Sequence, residues 1–191
     1  MKIYKFILVF ILGLLLGAFI MVKVEMSVNQ TINSENSTYD YSLVNELEIG
    51  EKVDMTGYSY MGPENNYLEI DFSDLKNNYN NKDFSGTILV SFTGCSHCQN
   101  IVYLLNNYMK FNNFNIYYFN AEALFDKENR KEFVDMFNSY LADDEEGEEG
   151  DKVIYTPMLI SIKNGEVVKS QYGMKTEDDI NAYFNELVSG E

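Results

Sequence analysis

Cys95 and Cys98 are the only cysteines in the chain, and they stand three residues apart where two unlike sequence patterns meet. Before them, Thr87-Ile88-Leu89-Val90-Ser91-Phe92 is a β-branched, apolar run with the length of a buried strand. After them, Ile101, Leu104, Leu105, Tyr108 and Met109 recur at the spacing of one helical face. The chain must therefore leave a sheet, turn, and enter a helix whose first turn carries both sulfurs. Few architectures accept that demand.

The remaining periodicities extend the same plan. Asn115 to Asn120 is aromatic and strand-like, and Phe133, Met136, Phe137, Tyr140 and Leu141 repeat the helical spacing. Met158 to Ile162 reads as a strand, Asn164-Gly165 as a two-residue hairpin turn, and Glu166 to Tyr172 as the partner strand. Thr176 with Asp179 resembles a capping box, with Asp where Glu or Gln is usual. Ile180, Tyr183, Phe184, Leu187 and Val188 then mark a last helix. Strand, helix, strand, helix, hairpin and helix predict an α/β domain whose helices cover a mixed sheet. A hydrophobic content of 46%, with 13 Phe and 15 Tyr, supplies its core and rules out global disorder. The Phe, Tyr and Met positions named here are read as core.

The N-terminus sets the expected compartment. Lys2 and Lys5 precede an apolar run from Phe6 to Val22 that no charge interrupts. This predicts a cytoplasmic stub over 1–5, a transmembrane anchor or uncleaved signal over 6–22, a spacer of uncertain structure over 23–66 and the folded domain over 67–191, with a cleaved secretory signal or a buried core helix as the alternatives for the apolar run. Residues 23–40 are rich in Ser, Asn and Thr, whereas 41–66 are ambiguous, with Leu43, Val44, Leu47 and Ile49 able to form a short helix. The expected location is the cell membrane, single-pass, with the C-terminal domain extracytoplasmic, a space that permits disulfides. Of the 14 basic residues two lie in the first 22, so the exported part sets 12 against all 30 acids. Such a surface repels phosphate backbones and excludes nucleic acid as a partner. A single histidine excludes multi-histidine metal centres.

Chemistry is expected at Cys95-Ser96-His97-Cys98. A helix N-terminus offers unpaired N–H groups and a positive dipole end, both of which stabilise a thiolate on Cys95. His97 adds a cation or a hydrogen-bond donor beside it. Such surroundings lower a cysteine pKa from about 8.5 to roughly 3.5–7.5. The thiolate is the attacking species, and Cys98, one turn on and more buried, is the resolving thiol. Three alternatives stand beside this reading. A structural disulfide would close a very short loop worth only about 2 kcal/mol. A metal site would crowd Cys95, His97 and Cys98 into four residues without an obvious fourth ligand. An inert reduced pair is the third.

Thr156-Pro157 supplies a second feature. A proline at the opening of a strand removes a ladder hydrogen bond, and a cis Thr–Pro bond resolves the conflict. That turn leaves the Thr156 backbone available to an extended substrate segment.

From about Tyr67 to Val188 the chain resembles the thioredoxin superfamily. The resemblance rests on the strand Ile88–Phe92, the Cys95–Cys98 motif, Thr156-Pro157, the run from Pro157 to Val168 and Gly173 before the final helix. It implies a thioredoxin-like fold, a central mixed β-sheet flanked by helices. It also implies Cys95 as attacking thiol with His97 beside it, Cys98 as resolver, and Thr156, Pro157 and Ser96 as substrate contacts. No cofactor and no metal are implied. His97 matches the disulfide-oxidase branch, which has Pro in place of Ser96, whereas a threonine before the proline recurs in reductase and isomerase branches. The two cues disagree about redox direction. The layout is also similar to anchored thioredoxin-like accessory proteins of Gram-positive bacteria, bacteriocin-transport accessory proteins among them.

The expected function is thus an extracytoplasmic thiol–disulfide oxidoreductase. Its partners would be protein thiols and disulfides, the membrane through the N-terminal helix, and a membrane electron-transfer or transport partner. The rival is a non-catalytic binding module that docks a secretion or transport partner or holds a soft metal. Departures from the family bear on mechanism. Phe92-Thr93-Gly94 is shorter than the thioredoxin loop and lacks its tryptophan, and Ser91 stands where thioredoxin has a buried acid. Glu122 is the substitute base considered. The block from Asp143 to Asp151, seven acids in nine residues, is expected to be a mobile solvated loop.

Overall fold

The computed structural model of the chain describes residues 52–82, 84–145 and 151–189. The apolar run Phe6–Val22, the stub before it, the spacer over 23–40 and the segment with Leu43, Val44, Leu47 and Ile49 lie outside the described residues. Among the described residues no helix is long and apolar enough to cross a membrane.

The described elements run β1 (Tyr67–Glu69), α1 (Phe72–Asn80), β2 (Gly86–Ser91), α2 (Ser96–Asn112), β3 (Ile116–Asn120), α3 (Lys127–Phe137), β4 (Ala142–Asp143), β5 (Lys152–Val153), β6 (Met158–Lys163), β7 (Glu166–Tyr172) and α4 (Glu177–Ser189). A five-stranded sheet takes the order β1-β3-β2-β6-β7. The pairs β1/β3 and β2/β3 are parallel, whereas β2/β6 and β6/β7 are antiparallel. The sheet is mixed, as the element order predicts.

β2 lies at the centre, and all six of its residues are buried. This is why it reads as a continuous apolar run instead of an alternating one. Successive side chains still point to opposite faces. Ile88 and Val90 join Met158, Ile160 and Ile162 in a cluster with Phe72 and Leu75 of α1 and Phe133 and Phe137 of α3. On the other face, Thr87 Oγ1 and Ser161 Oγ lie 2.7 Å apart, and Ser161 Oγ lies 2.7 Å from the hydroxyl of Tyr183 in α4. Helix α2 meets α4 through stacked Tyr108 and Phe184 rings, 5.1 Å between centroids. Helices therefore flank both faces of a central mixed sheet, the thioredoxin-like arrangement expected.

Local chemistry sets the boundaries. Asp71 caps α1 by accepting from Asp74 N at 2.8 Å, and Asp126 caps α3 by accepting from Glu128 N and Asn129 N. The capping box at α4 forms with Asp in the third position: Asp179 N donates to Thr176 Oγ1, and Thr176 N donates back to Asp179 Oδ2. Asn164 and Gly165 both have positive φ, 52° and 72°, as a two-residue hairpin between β6 and β7 requires.

Three segments differ from the expectation. The helix expected to reach Leu141 ends at Phe137, and Asn138–Tyr140 tightens into a 3-10 turn that leaves Tyr140 exposed. The acidic block is not an open loop at its described ends: Ala142–Asp143 pairs antiparallel with Lys152–Val153, and Lys152 Nζ meets Asp143 Oδ1 at 2.6 Å. The stretch left ambiguous over 41–66 belongs, from Lys52 onward, to the packed body. Met55 and Tyr58 are buried, and Lys52 bridges to Leu68.

Candidate active site

β2 ends at Ser91, and the chain turns through Phe92-Thr93-Gly94 into α2. Cys95 N–H donates to Phe92 O at 3.1 Å, closing that turn. Cys95 is the N-cap of α2, with extended backbone (φ −84°, ψ 114°). In that position it does what a capping Ser or Asp does elsewhere: its sulfur accepts the N–H of Cys98 at 3.1 Å. The helix behind it has 17 residues, so a full positive dipole end points at the sulfur.

The two cysteines form a disulfide, with 5.2 Å between their Cα atoms. Cys95 is 7% exposed and Cys98 is fully buried. The sulfur nearer solvent is thus the one at the helix tip, and its partner is screened by the fold.

Across from Cys95 the Thr156–Pro157 peptide bond is cis, immediately before β6. The Thr156 hydroxyl donates to Cys95 Sγ at 3.4 Å. The Thr156 carbonyl oxygen lies 3.6 Å from the same sulfur. A disulfide sulfur has no proton to give, so this second contact becomes a hydrogen bond only when Cys95 is a thiol. Two donors, Cys98 N–H and Thr156 O–H, therefore converge on one sulfur at a helix N-terminus. Hydrogen bonds to a charged acceptor are the stronger kind, and here they favour the thiolate.

His97 is exposed on the first turn of α2. It lines a cavity of about 260 Å³ together with Tyr155, Pro157, Tyr172, Met174 and Lys175, with Thr156 on its wall. Cys95, Cys98, His97, Thr156 and Pro157 are thus brought to one place. Ser96 is exposed on the helix between the two cysteines and is not part of that cavity wall. Glu122 is exposed, and its carboxylate accepts from Asn120 Nδ2 at 3.3 Å. Among the described residues no group of three or more His, Cys, Asp or Glu side chains is arranged to hold a metal ion.

Ser91, the last residue of β2, is fully buried. Its hydroxyl lies 2.8 Å from that of Tyr58, which lies 2.9 Å from that of Tyr118. Burial pushes the phenols of Tyr58 and Tyr118 above their ordinary range, so this chain of hydroxyls is neutral. Tyr58 arrives from the segment before β1, and Gln99 ties that segment to the turn before Cys95. The Gln99 side chain accepts from Ser59 N at 2.6 Å and donates to Thr93 O at 2.7 Å. Sequence reasoning passed over Tyr58, Gln99, Tyr155 and Tyr172. Only Tyr155 had a signal, its position directly before Thr156-Pro157.

No family model and no curated protein matches the sequence. Among solved structures, the chain is similar to the crystal structure of thioredoxin NaTrxh from Nicotiana alata, with 13% identity and a TM-score of 0.42, over 68% of this chain and 96% of that one.

Proposed function

We propose that the chain is an extracytoplasmic thiol–disulfide oxidoreductase acting on polypeptides, anchored to the membrane through Phe6–Val22. One observation carries the reading: Cys95 Sγ stands at a helix tip, receives the Cys98 N–H and the Thr156 hydroxyl, and shares its disulfide with a cysteine sealed beneath it.

In the reducing direction the Cys95 thiolate attacks a substrate disulfide. One Cys95–substrate bond forms, and the first substrate sulfur leaves as a thiolate. Cys98, deprotonated, then attacks Cys95 Sγ. The Cys95–Cys98 bond re-forms and the second substrate sulfur departs. Two electrons pass to the substrate, and two protons complete its thiols. In the oxidising direction the same steps run backwards, starting from substrate thiolate attack on Cys95. The stabilised Cys95 thiolate serves as nucleophile in one direction and leaving group in the other.

The test uses the full-length chain with a disulfide-bonded model protein. The expected exchange rate exceeds that of an equal concentration of free dithiol. Cys95→Ser abolishes exchange, and Cys98→Ser stops at a mixed disulfide through Cys95. A wild-type rate equal to free dithiol overturns the proposal and leaves a binding module. The potential of the pair assigns direction, near roughly −120 mV for an oxidant and near roughly −270 mV for a reductant.

A further inference from the structure

Tyr155 and Tyr172 stack beside the cis peptide, with centroids 5.3 Å apart and planes at 28°. Yet they are 48% and 44% exposed, so this ring pair lies outside the core. Their cavity has an apolar floor: Met174 is 1% exposed and Pro157 is buried. Its volume of about 260 Å³ lies below the roughly 300–1,000 Å³ of pockets that take drug-sized ligands. It has room for one large side chain. Thr156 connects this cavity to the chemistry, since it lines the wall and touches Cys95 Sγ.

We infer that this cavity is a specificity pocket that seats one aromatic side chain of the substrate polypeptide, with Tyr155 and Tyr172 as the specificity-determining residues. The inference rests on the oxidoreductase reading for what brings the polypeptide there. Extended chain places every second side chain on the same face, about 6.6 Å apart. A residue two positions from the cysteine that meets Cys95 shares its face, and it is the one assigned to the pocket. An aromatic ring gains more than an aliphatic chain there, because it stacks on exposed tyrosine faces over an apolar floor. Lys175 is an exposed cation lining this cavity in a domain otherwise dominated by acids. It complements a carboxylate flanking the aromatic residue and disfavours a lysine in its place.

The test measures binding without redox chemistry. Labelled peptides carry serine in place of cysteine, with Phe, Ala or Lys two residues before or after it, and are titrated with the oxidised full-length chain by fluorescence anisotropy. The Phe peptide is expected to bind at least about tenfold more tightly than the Ala peptide, and the Lys peptide no better than Ala. Tyr155→Ala and Tyr172→Ala each remove most of that preference, while Tyr155→Phe, Tyr172→Phe and the distant Phe111→Ala preserve it. Equal binding of the Phe and Ala peptides, or a preference that survives both alanine variants, overturns the inference. Because these peptides contain no thiol, an inert Cys95 would defeat the oxidoreductase reading while leaving this result standing.

Discussion

The hydroxyl of Thr156 donates to Cys95 Sγ at 3.4 Å from across the cis peptide bond to Pro157. The same sulfur already accepts the Cys98 N–H, so Thr156 is its side-chain donor and the helix its backbone donor. A hydrogen bond to a charged acceptor contributes about 1.5–3 kcal/mol, and about 1.4 kcal/mol is a factor of ten in the thiol–thiolate equilibrium. Thr156→Val keeps the shape and removes the donor. It is expected to shift the thiolate titration of the reduced protein about tenfold in proton concentration towards higher pH, read from thiolate ultraviolet absorbance. The reduced form loses that stabilisation, so the potential falls by about 30 mV for each tenfold loss of thiolate. Wild-type thiolate content in the valine variant would show that Thr156 does not act on the sulfur.

The Tyr58 hydroxyl bridges Ser91 and Tyr118 in a buried row of neutral groups. Tyr58→Phe leaves both neighbours without that partner. A buried polar group deprived of its partner costs about 1–3 kcal/mol. The variant is expected to unfold at lower denaturant with an unchanged slope, the signature of lost stability in an intact fold. An unchanged midpoint would mean that the two hydroxyls re-pair with each other or with water.

Gly165 and Gly173 share left-handed backbone, φ 72° and 74°, but not surroundings. A Cβ on Gly165 would lie 2.6 Å from Lys82 Cα and 2.9 Å from Tyr79 O, whereas one on Gly173 meets nothing within 4 Å. Left-handed backbone costs a non-glycine residue about 1–2 kcal/mol. Gly173→Ala is expected to lose about that much. Gly165→Ala adds a backbone clash of about 1–3 kcal/mol, by the scale of overpacked sites. Chemical denaturation of the two variants gives the ranking, and equal losses would refute the clash.

Features written in contiguous residues were legible in the sequence. The buried β2 run, Cys95 at the start of its helix, the cis link at Thr156–Pro157, the Asn164-Gly165 turn and the Thr176–Asp179 cap all depend on neighbours within a few positions. What escaped depends on distant pairing or on weak patterns. β1 has three residues, too few to show a period, and is held by parallel pairing to β3. In α1 only Phe72, Leu75 and Tyr79 interrupt an Asn- and Asp-rich stretch of poor helix formers, so its helical face is sparse. Tyr58 fills its site from a turn with no periodicity, and one tyrosine among 15 carries no mark of burial. The Tyr155–Tyr172 pair joins residues from two elements, which only the β6–β7 hairpin brings together.

The buried tyrosines set an alkaline limit. Burial raises the phenol of Tyr117 to about 12 and pushes those of Tyr58, Tyr67, Tyr118 and Tyr183 up as well. Below about pH 10 the phenols are protonated in both states, and their stabilisation is fully present. Above it the unfolded chain releases protons that the fold retains, and stability declines by up to about 1.4 kcal/mol per pH unit for each such phenol. All five act in the same direction, so stability falls steadily as pH rises above about 10. Phenolate absorbance is therefore expected to rise cooperatively between about pH 10 and 12, in step with the loss of helical circular dichroism. A gradual rise of the whole signal from pH 10, with circular dichroism retained to pH 12, would show that these phenols ionise inside the fold and that their burial carries no such penalty.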